Sequence, residues 1–206
     1  MRILSLVKKN NYVTVSFDND EKIRLHYEVA VQCGLRKNDE LSEAQLKSIL
    51  KEEELFSLKN SALRLITRRP HSSFELRTKL LKKNFQQGDI SKIINDFLSK
   101  GYLSDKNFAE RFIEEGLKKK KGLMKIKSEL FSKGVSREII ESIILKYEGD
   151  SSMLPNARLL AQRKLESLRH KNLQPMQKKQ KLYSYLNGKG YSSDIIRQVV
   201  DELIEE

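Results

Sequence analysis

The chain has 206 residues, a formal net charge of +12, 33% charged residues and only 38% hydrophobic ones. That length allows one domain or two small ones, and so charged a composition suits slim helical units with much exposed face better than one deep core. A single cysteine, Cys33, excludes an intrachain disulfide. No apolar run is long enough to cross a bilayer, and the N-terminus lacks the apolar core of a signal peptide, so the chain reads as cytoplasmic with no membrane partner.

The charge is unevenly placed. Residues 1–59 hold ten Lys or Arg against ten Asp or Glu, whereas residues 60–206 hold thirty against eighteen. The excess therefore sits in the C-terminal three-quarters, which points to a polyanion or to a protein assembled on one.

In chain order, Arg2 to Tyr27 reads as a three-stranded meander. Val13, Val15 and Phe17 alternate with Tyr12, Thr14 and Ser16, the period of a half-buried strand. Turns fall at Lys8–Asn11 and Asp18–Asp20, and a short helix over Glu28–Gln32 stops at Gly34. Ser42 then opens a helix with Gln45 as its capping-box partner and Ala44, Leu46, Ile49 and Leu50 on its buried side. This N-terminal domain, residues 1–54, is balanced in charge and shows no catalytic grouping. Cys33, beside Gly34, reads as a small core filler.

From residue 55 a pattern repeats. Leu76, Leu80, Asn84 and Phe85 correspond to Ile126, Leu130, Gly134 and Val135, and again to Leu182, Leu186, Gly190 and Tyr191. Each set has two large aliphatics four apart, then a residue tolerant of the left-handed conformation, then an apolar residue. A helix start follows (Asp89, Ser136, Ser193), and then paired isoleucines: Ile93–Ile94, Ile139–Ile140, Ile195–Ile196. The spacing predicts a mainly α-helical protein, with three tandem three-helix repeats in an elongated array behind a small β-containing N-terminal domain. Its divisions are 55–105, 106–150 and 151–206. The first helix of repeat one runs from about Leu55 to Arg69. That of repeat three runs over Asn156–Leu168, after a polar break from Gly149 to Pro155.

Catalytic chemistry is not written in these residues. His26, His71 and His170 are far apart and none has a metal-spaced neighbour. No phosphate-cradling glycine loop, nucleophile elbow or zinc-protease helix is present, so neither enzyme activity, metal nor cofactor is expected. Asp105 with Glu110 reads as caps and solvated face, and His71, at a helix start, is a possible phosphate contact.

Binding chemistry is better supported. Lys82 and Lys83 precede the repeat-one turn, and Lys133 and Lys189 take the same place in repeats two and three. Arg68, Arg69, Lys118, Lys119, Lys120, Lys121, Lys125, Lys127, Arg163 and Lys164 add charge near helix ends. Such a row could follow a phosphate backbone with salt-sensitive affinity, although lysines near helix C-termini also suit the macrodipole alone. Tyr102 and Tyr191 read as core plugs after a turn rather than as base-stacking surfaces.

The runs RRPHSSFELRTKLLKK, GYLSDKNFAERFI and IKSELFSKGVSREII resemble the RecX family of bacterial recombination regulators. The likeness spans about residues 55–206 and is strongest over 60–145. Its most specific parts are the start formed by Arg69, Pro70, Ser72, Glu75 and Leu76, and the link from Gly101 to Ala109. In that link Ser104–Asp105 stands where the family often has two aspartates.

The resemblance implies a non-enzymatic modulator, mostly an inhibitor, of RecA recombinase. It would lie in the groove of the RecA filament on single-stranded DNA, with duplex DNA as a further target; separately from the resemblance, the chain is expected to be a monomer. There it would impede strand exchange, ATP hydrolysis and the SOS response. A stand-alone basic DNA or RNA binder and a helical adaptor without nucleic-acid affinity are the competing readings.

Overall fold

The computed structural model describes residues 1–205, and its chain divides into two compact units. The first comprises residues 1–69 and 76–102, the second 70–75 and everything from Leu103 onward.

In the first unit, β1 (Ile3–Lys9), β2 (Tyr12–Phe17) and β3 (Lys22–His26) form an antiparallel sheet in that order. The alternation in β2 works as expected: Val13, Val15 and Phe17 are buried while Tyr12, Thr14 and Ser16 face the other way. Asn10 and Asp20 make the two turns with positive φ, a conformation their short polar side chains tolerate. Helix α1 (Tyr27–Gln32) lays Ala30 into the same core as Ile3, Leu25 and Ile49. Cys33 is partly buried against that core, and burial raises its thiol pKa.

Helix α2 differs from expectation. The sequence suggests one helix from Ser42 and another over residues 55–69; the structure has a single 26-residue helix, Glu43–Arg68. No glycine or proline lies within it, and its middle, Lys51-Glu52-Glu53-Glu54-Leu55, consists of good helix formers. Ser42 and Gln45 form the capping box as read, but Leu50 points outward, 42% exposed. The N-terminal half of α2 meets the sheet. There Glu53 accepts from the His26 backbone N–H at 2.7 Å and pairs with His26 Nδ1 at 2.6 Å.

Helices α3 (Ser73–Leu81) and α4 (Gln87–Ser99) complete the first triad. Leu58, Ala62, Leu76, Leu80, Ile90, Ile94 and Phe97 are its fully or nearly fully buried residues. Asp89 is not the start of α4. The N-cap is Gln86, and Asp89 sits in the first turn, buried, with its carboxylate 2.6 Å from Lys51 Nζ of α2. A carboxylate there suits the positive end of the helix as well as the ammonium.

The second unit carries two triads. Helices α5 (Asp105–Lys118), α6 (Leu123–Ser132) and α7 (Arg137–Ile144) enclose Phe108, Ile113, Ile126, Leu130, Ile140 and Ile143. Ser104 and Ser136 cap α5 and α7 by accepting from Asn107 and Ile139 backbone N–H groups. After a 3-10 turn at Leu145–Tyr147, α8 (Met153–Ser167), α9 (Pro175–Lys189) and α10 (Ser193–Glu205) enclose Ala157, Ala161, Leu182, Leu186, Ile196 and Val199. Helix α8 starts three residues earlier than expected. Pro155 lies in its first turn, where its missing N–H breaks no helical hydrogen bond. Leu117 and Leu123 pack against both cores, so the two triads share a wall.

Candidate nucleic-acid interface

The turn that ends the middle helix of each repeat carries the lysines singled out in the sequence. The structure gives this turn a docking role. In the second unit, Lys133 and Gly134 follow α6, and the residues at the start of α3 seat on them. Ser72 Oγ donates to the Lys133 carbonyl at 2.6 Å, and Glu75 meets Lys133 Nζ at 2.7 Å. A Cβ built on Gly134 would lie 2.4 Å from Phe74 Cβ.

The same interlock recurs one repeat later. The Gly122 N–H at the start of α6 donates to the Lys189 carbonyl at 2.9 Å, and the Met124 N–H to the Gly190 carbonyl at 3.0 Å. A Cβ on Gly122 would fall 2.1 Å from the Gly190 carbonyl carbon, and one on Gly190 would fall 2.3 Å from the Lys125 amide nitrogen. Such approaches admit no side chain, and both turn glycines also have positive φ. Tyr191 locks the second junction: buried at 3% exposure, its hydroxyl donates to the Lys120 carbonyl at 2.9 Å, and burial pushes its pKa up to about 12.

This geometry sorts the basic residues. Lys133 is clamped by Glu75, and Lys121 by both oxygens of Glu129 at 2.6 and 2.8 Å. Lys127 lies 3.7 Å from Glu141, a carboxylate already held by Arg137 at 2.7 Å. The Arg137 guanidinium keeps the Glu141 carboxyl below its ordinary range. Lys125 reaches the Gly188 carbonyl at 3.4 Å, and Lys119 stands a loose 3.8 Å from Glu115. By contrast Arg68, Lys82, Lys83, Lys118 and Arg163 are exposed and form no ion pair among the described residues; Arg69 is exposed too. Lys120 holds a positive φ of 57° at the α5–α6 turn, and Lys164 Nζ lies over the Tyr185 ring.

Two aromatic and histidine expectations change. Tyr102 is no core plug: it is 60% exposed, touching Phe97 edge-on at 5.8 Å between ring centres, because the chain turns outward after Gly101. His71, at 3% exposure, is shut away from any phosphate. Asp105 is a cap, as read, but for another helix: it accepts from the Ser73 N–H at 2.7 Å. Among the described residues no cluster of three or more His, Cys, Asp or Glu could hold a metal ion, and no helix is long and apolar enough to cross a membrane.

Sequence reasoning missed the part played by Ser72, Phe74 and Gly122. The available signal was the middle turn residue itself, glycine at 134 and 190 but asparagine at 84. Where a neighbour docks, no Cβ is tolerated; Asn84, with positive φ, is exposed together with Lys82 and Lys83.

Comparison with known proteins agrees with this architecture. Family profiles described as the first, second and third three-helix domains of RecX match residues 59–97, 104–143 and 153–200. The regulatory protein RecX of Clostridium botulinum (strain Eklund 17B / Type B) is 31% identical over 98% of this chain and 94% of its own length. That of Chlorobium phaeobacteroides (strain BS1) is 33% identical over 69% of this chain and 90% of its own. Among solved structures, RecX from Lactobacillus salivarius superposes with a TM-score of 0.65 at 26% identity, covering 75% of this chain and 99% of that one. Another, titled regulatory protein RecX, shares the fold with a TM-score of 0.72 over 99% of this chain and 98% of its own, at 19% identity. Three consecutive three-helix domains behind a small β region, matched domain by domain and along nearly the whole chain, make this protein a member of the RecX family of regulatory proteins.

Proposed function

We propose that the protein is a cytoplasmic, non-enzymatic regulator of RecA that binds the RecA–single-stranded DNA filament in its groove and restrains strand exchange, ATP hydrolysis and the SOS response. Family membership supplies the regulatory role. The observation that carries the filament contact is the contrast between turns. Lys133 is covered by Ser72 and Glu75 and Lys189 by the start of α6, whereas the equivalent Lys82–Lys83 turn of repeat one is exposed and its ammonium groups have no carboxylate among the described residues.

The contact set then consists of Arg68, Arg69, Lys82, Lys83, Lys118, Lys119, Lys120, Arg163 and Lys164. Lys121, Lys125, Lys127 and Lys133 are assigned to holding the fold. Solvated ammonium groups facing a polyanion gain affinity by releasing counterions, at a cost only in rotamer entropy. Lys121, Lys127 and Lys133 would have to give up a carboxylate first and Lys125 a carbonyl, whereas Lys119 is held only loosely.

The test is RecA's single-strand-dependent ATP hydrolysis, titrated with this protein at two salt concentrations. Wild-type protein should inhibit at ratios well below one per RecA. Lys82→Gln/Lys83→Gln/Lys118→Gln should lose inhibition with an unchanged helical spectrum, and full inhibition by that variant would remove these lysines from the interface.

A further inference from the structure

The densest charge in the chain takes in Arg163, Lys164 and Lys189 but lies mostly in residues the sequence did not single out. Residues 158–189 contain nine Lys or Arg and one acid, Glu166, a net +8 out of the whole chain's +12. This segment is the outer part of the third repeat, from α8 through α9. Between the two helices runs a groove of about 720 Å³, lined by Lys164, Lys171, Gln180, Lys181 and Tyr185 among others, with no carboxylate in its lining among the described residues. Lys171, Gln180 and Lys181 are exposed, and Tyr185 is half-buried and lines the groove.

The placement of Tyr185 distinguishes this groove from a merely solubilising face. Lys164 Nζ and Lys189 Nζ each lie 5.4 Å from its ring centroid. That is the loose end of a cation–π contact, whose reach is about 6 Å, so an arriving base can displace an ammonium group from over the ring at little cost. The nearby acids are engaged elsewhere: Asp201 pairs with Lys179 at 3.1 Å, Glu202 with Arg158 at 2.6 Å, and Glu166 lies 4.0 Å from Arg169. None of these carboxylates is among the residues that line the groove.

We infer that the α8–α9 groove is a single-stranded DNA site, in which Lys164, Lys171 and Lys181 take successive phosphates and Tyr185 stacks on a base. A duplex keeps its base faces inside and would leave the tyrosine without a role. An acidic peptide would use the lysines but gain nothing from the ring. Phosphates spaced along a flexible strand with bases free to turn outward use both. The inference rests on the RecA-regulator reading for the identity of the strand. It adds that repeat three holds the strand through its own groove, apart from the Lys82–Lys83 turn.

The test measures the affinity of the full-length protein for labelled oligo(dT) by fluorescence anisotropy across a salt series, beside inhibition of RecA ATP hydrolysis. Lys164→Gln/Lys171→Gln/Lys181→Gln should weaken oligo(dT) binding at least tenfold and flatten the log–log salt slope by about 2, roughly 0.7 for each phosphate left without its lysine. Tyr185→Leu, which retains an apolar group beside the core, should weaken binding about tenfold with little change in slope. Lys9→Gln/Lys22→Gln/Lys37→Gln removes the same charge from the N-terminal sheet region and should change neither.

Oligo(dT) affinity unaltered by the groove variants, or no wild-type affinity for oligo(dT), overturns the groove. So does duplex or polyglutamate binding as tight as oligo(dT) with equal sensitivity to the lysine variant. Should wild-type protein bind oligo(dT) through the groove but leave RecA untouched, the regulator reading fails while the site stands.

Discussion

Gly134 and Gly190 show how much a single missing Cβ can decide. Three glycines with positive φ form a graded series. At Gly101 an added Cβ meets nothing within 4 Å; at Gly134 it meets the Phe74 side chain at 2.4 Å; at Gly190 it meets the Lys125 backbone at 2.3 Å. Gly101→Ala should therefore cost only the left-handed penalty, about 1 kcal/mol. Gly134→Ala adds an overpacking cost of about 1–3 kcal/mol, since rotation of Phe74 can move its ring but not its Cβ. Gly190→Ala should cost most, because backbone cannot step aside. Urea unfolding of the three variants gives the order, and equal losses would mean that the interlock is not tight.

Lys133 belongs to the same scale. Its ammonium and Glu75 are each largely shielded, and a double-mutant cycle of Lys133→Met with Glu75→Gln should return a coupling of about 1 kcal/mol in stability. Lys83→Met, at the equivalent place in repeat one, should leave stability unchanged.

At the scale of elements, α2 joins the sheet to the first triad within one compact unit. Both ties leave from neighbouring turns of its N-terminal half, Glu53 to His26 of the sheet and Lys51 to Asp89 of the triad. The hydrogen bond from Lys51 holds the Asp89 carboxyl below its ordinary 3.8, against the opposing effect of burial. Because the folded pKa is depressed, the pair's contribution is complete above about pH 4 and disappears as pH falls through the folded value. Melting curves of wild type and Asp89→Asn should therefore differ at neutral pH and converge in acid. A constant gap down to the acid unfolding limit would assign the aspartate's effect to helix capping alone.

The middle helices carry the other element-scale prediction. Leu80 and Leu130 are both fully buried, and Leu→Ala at either should cost about 2–5 kcal/mol. A loss under about 1 kcal/mol would mean these cores relax more than their packing implies.

For the molecule as a whole, the interlock bears on how many copies assemble. Helix start and turn meet twice, Ser72 on Lys133 and Gly122 on Lys189. The outermost equivalents are unsuited to continuing the series. Asn84 has a side chain where Gly134 and Gly190 have none, and α9 opens on Gln174 and Pro175 where α6 opens on Gly122. A second copy docking in the same way would need an approach as close at both places. Neither place is built like the Ser72–Lys133 or Gly122–Lys189 contact, which disfavours self-association by that route. Light scattering should return a monomer mass at every concentration tried, and a concentration-dependent series would contradict this.

By itself the sequence determined the fold class and the repeat. Aliphatics four apart, a left-handed turn residue and paired isoleucines are local signals, governed by helix periodicity and backbone sterics, and such signals can be read without knowing what packs on what. Strand alternation in β2 and the caps at Ser42, Ser104 and Ser136 were legible for the same reason. The candidate site was legible only as a set of basic residues. Which lysines are spent on Glu75 or Glu129, that His71 is buried and Tyr102 exposed, and that Lys164, Lys181 and Tyr185 border one groove were decided by tertiary structure. Charge and helical phase are properties of the chain, whereas the availability of a charge depends on partners far along it, 58 residues away in the case of Glu75 and Lys133.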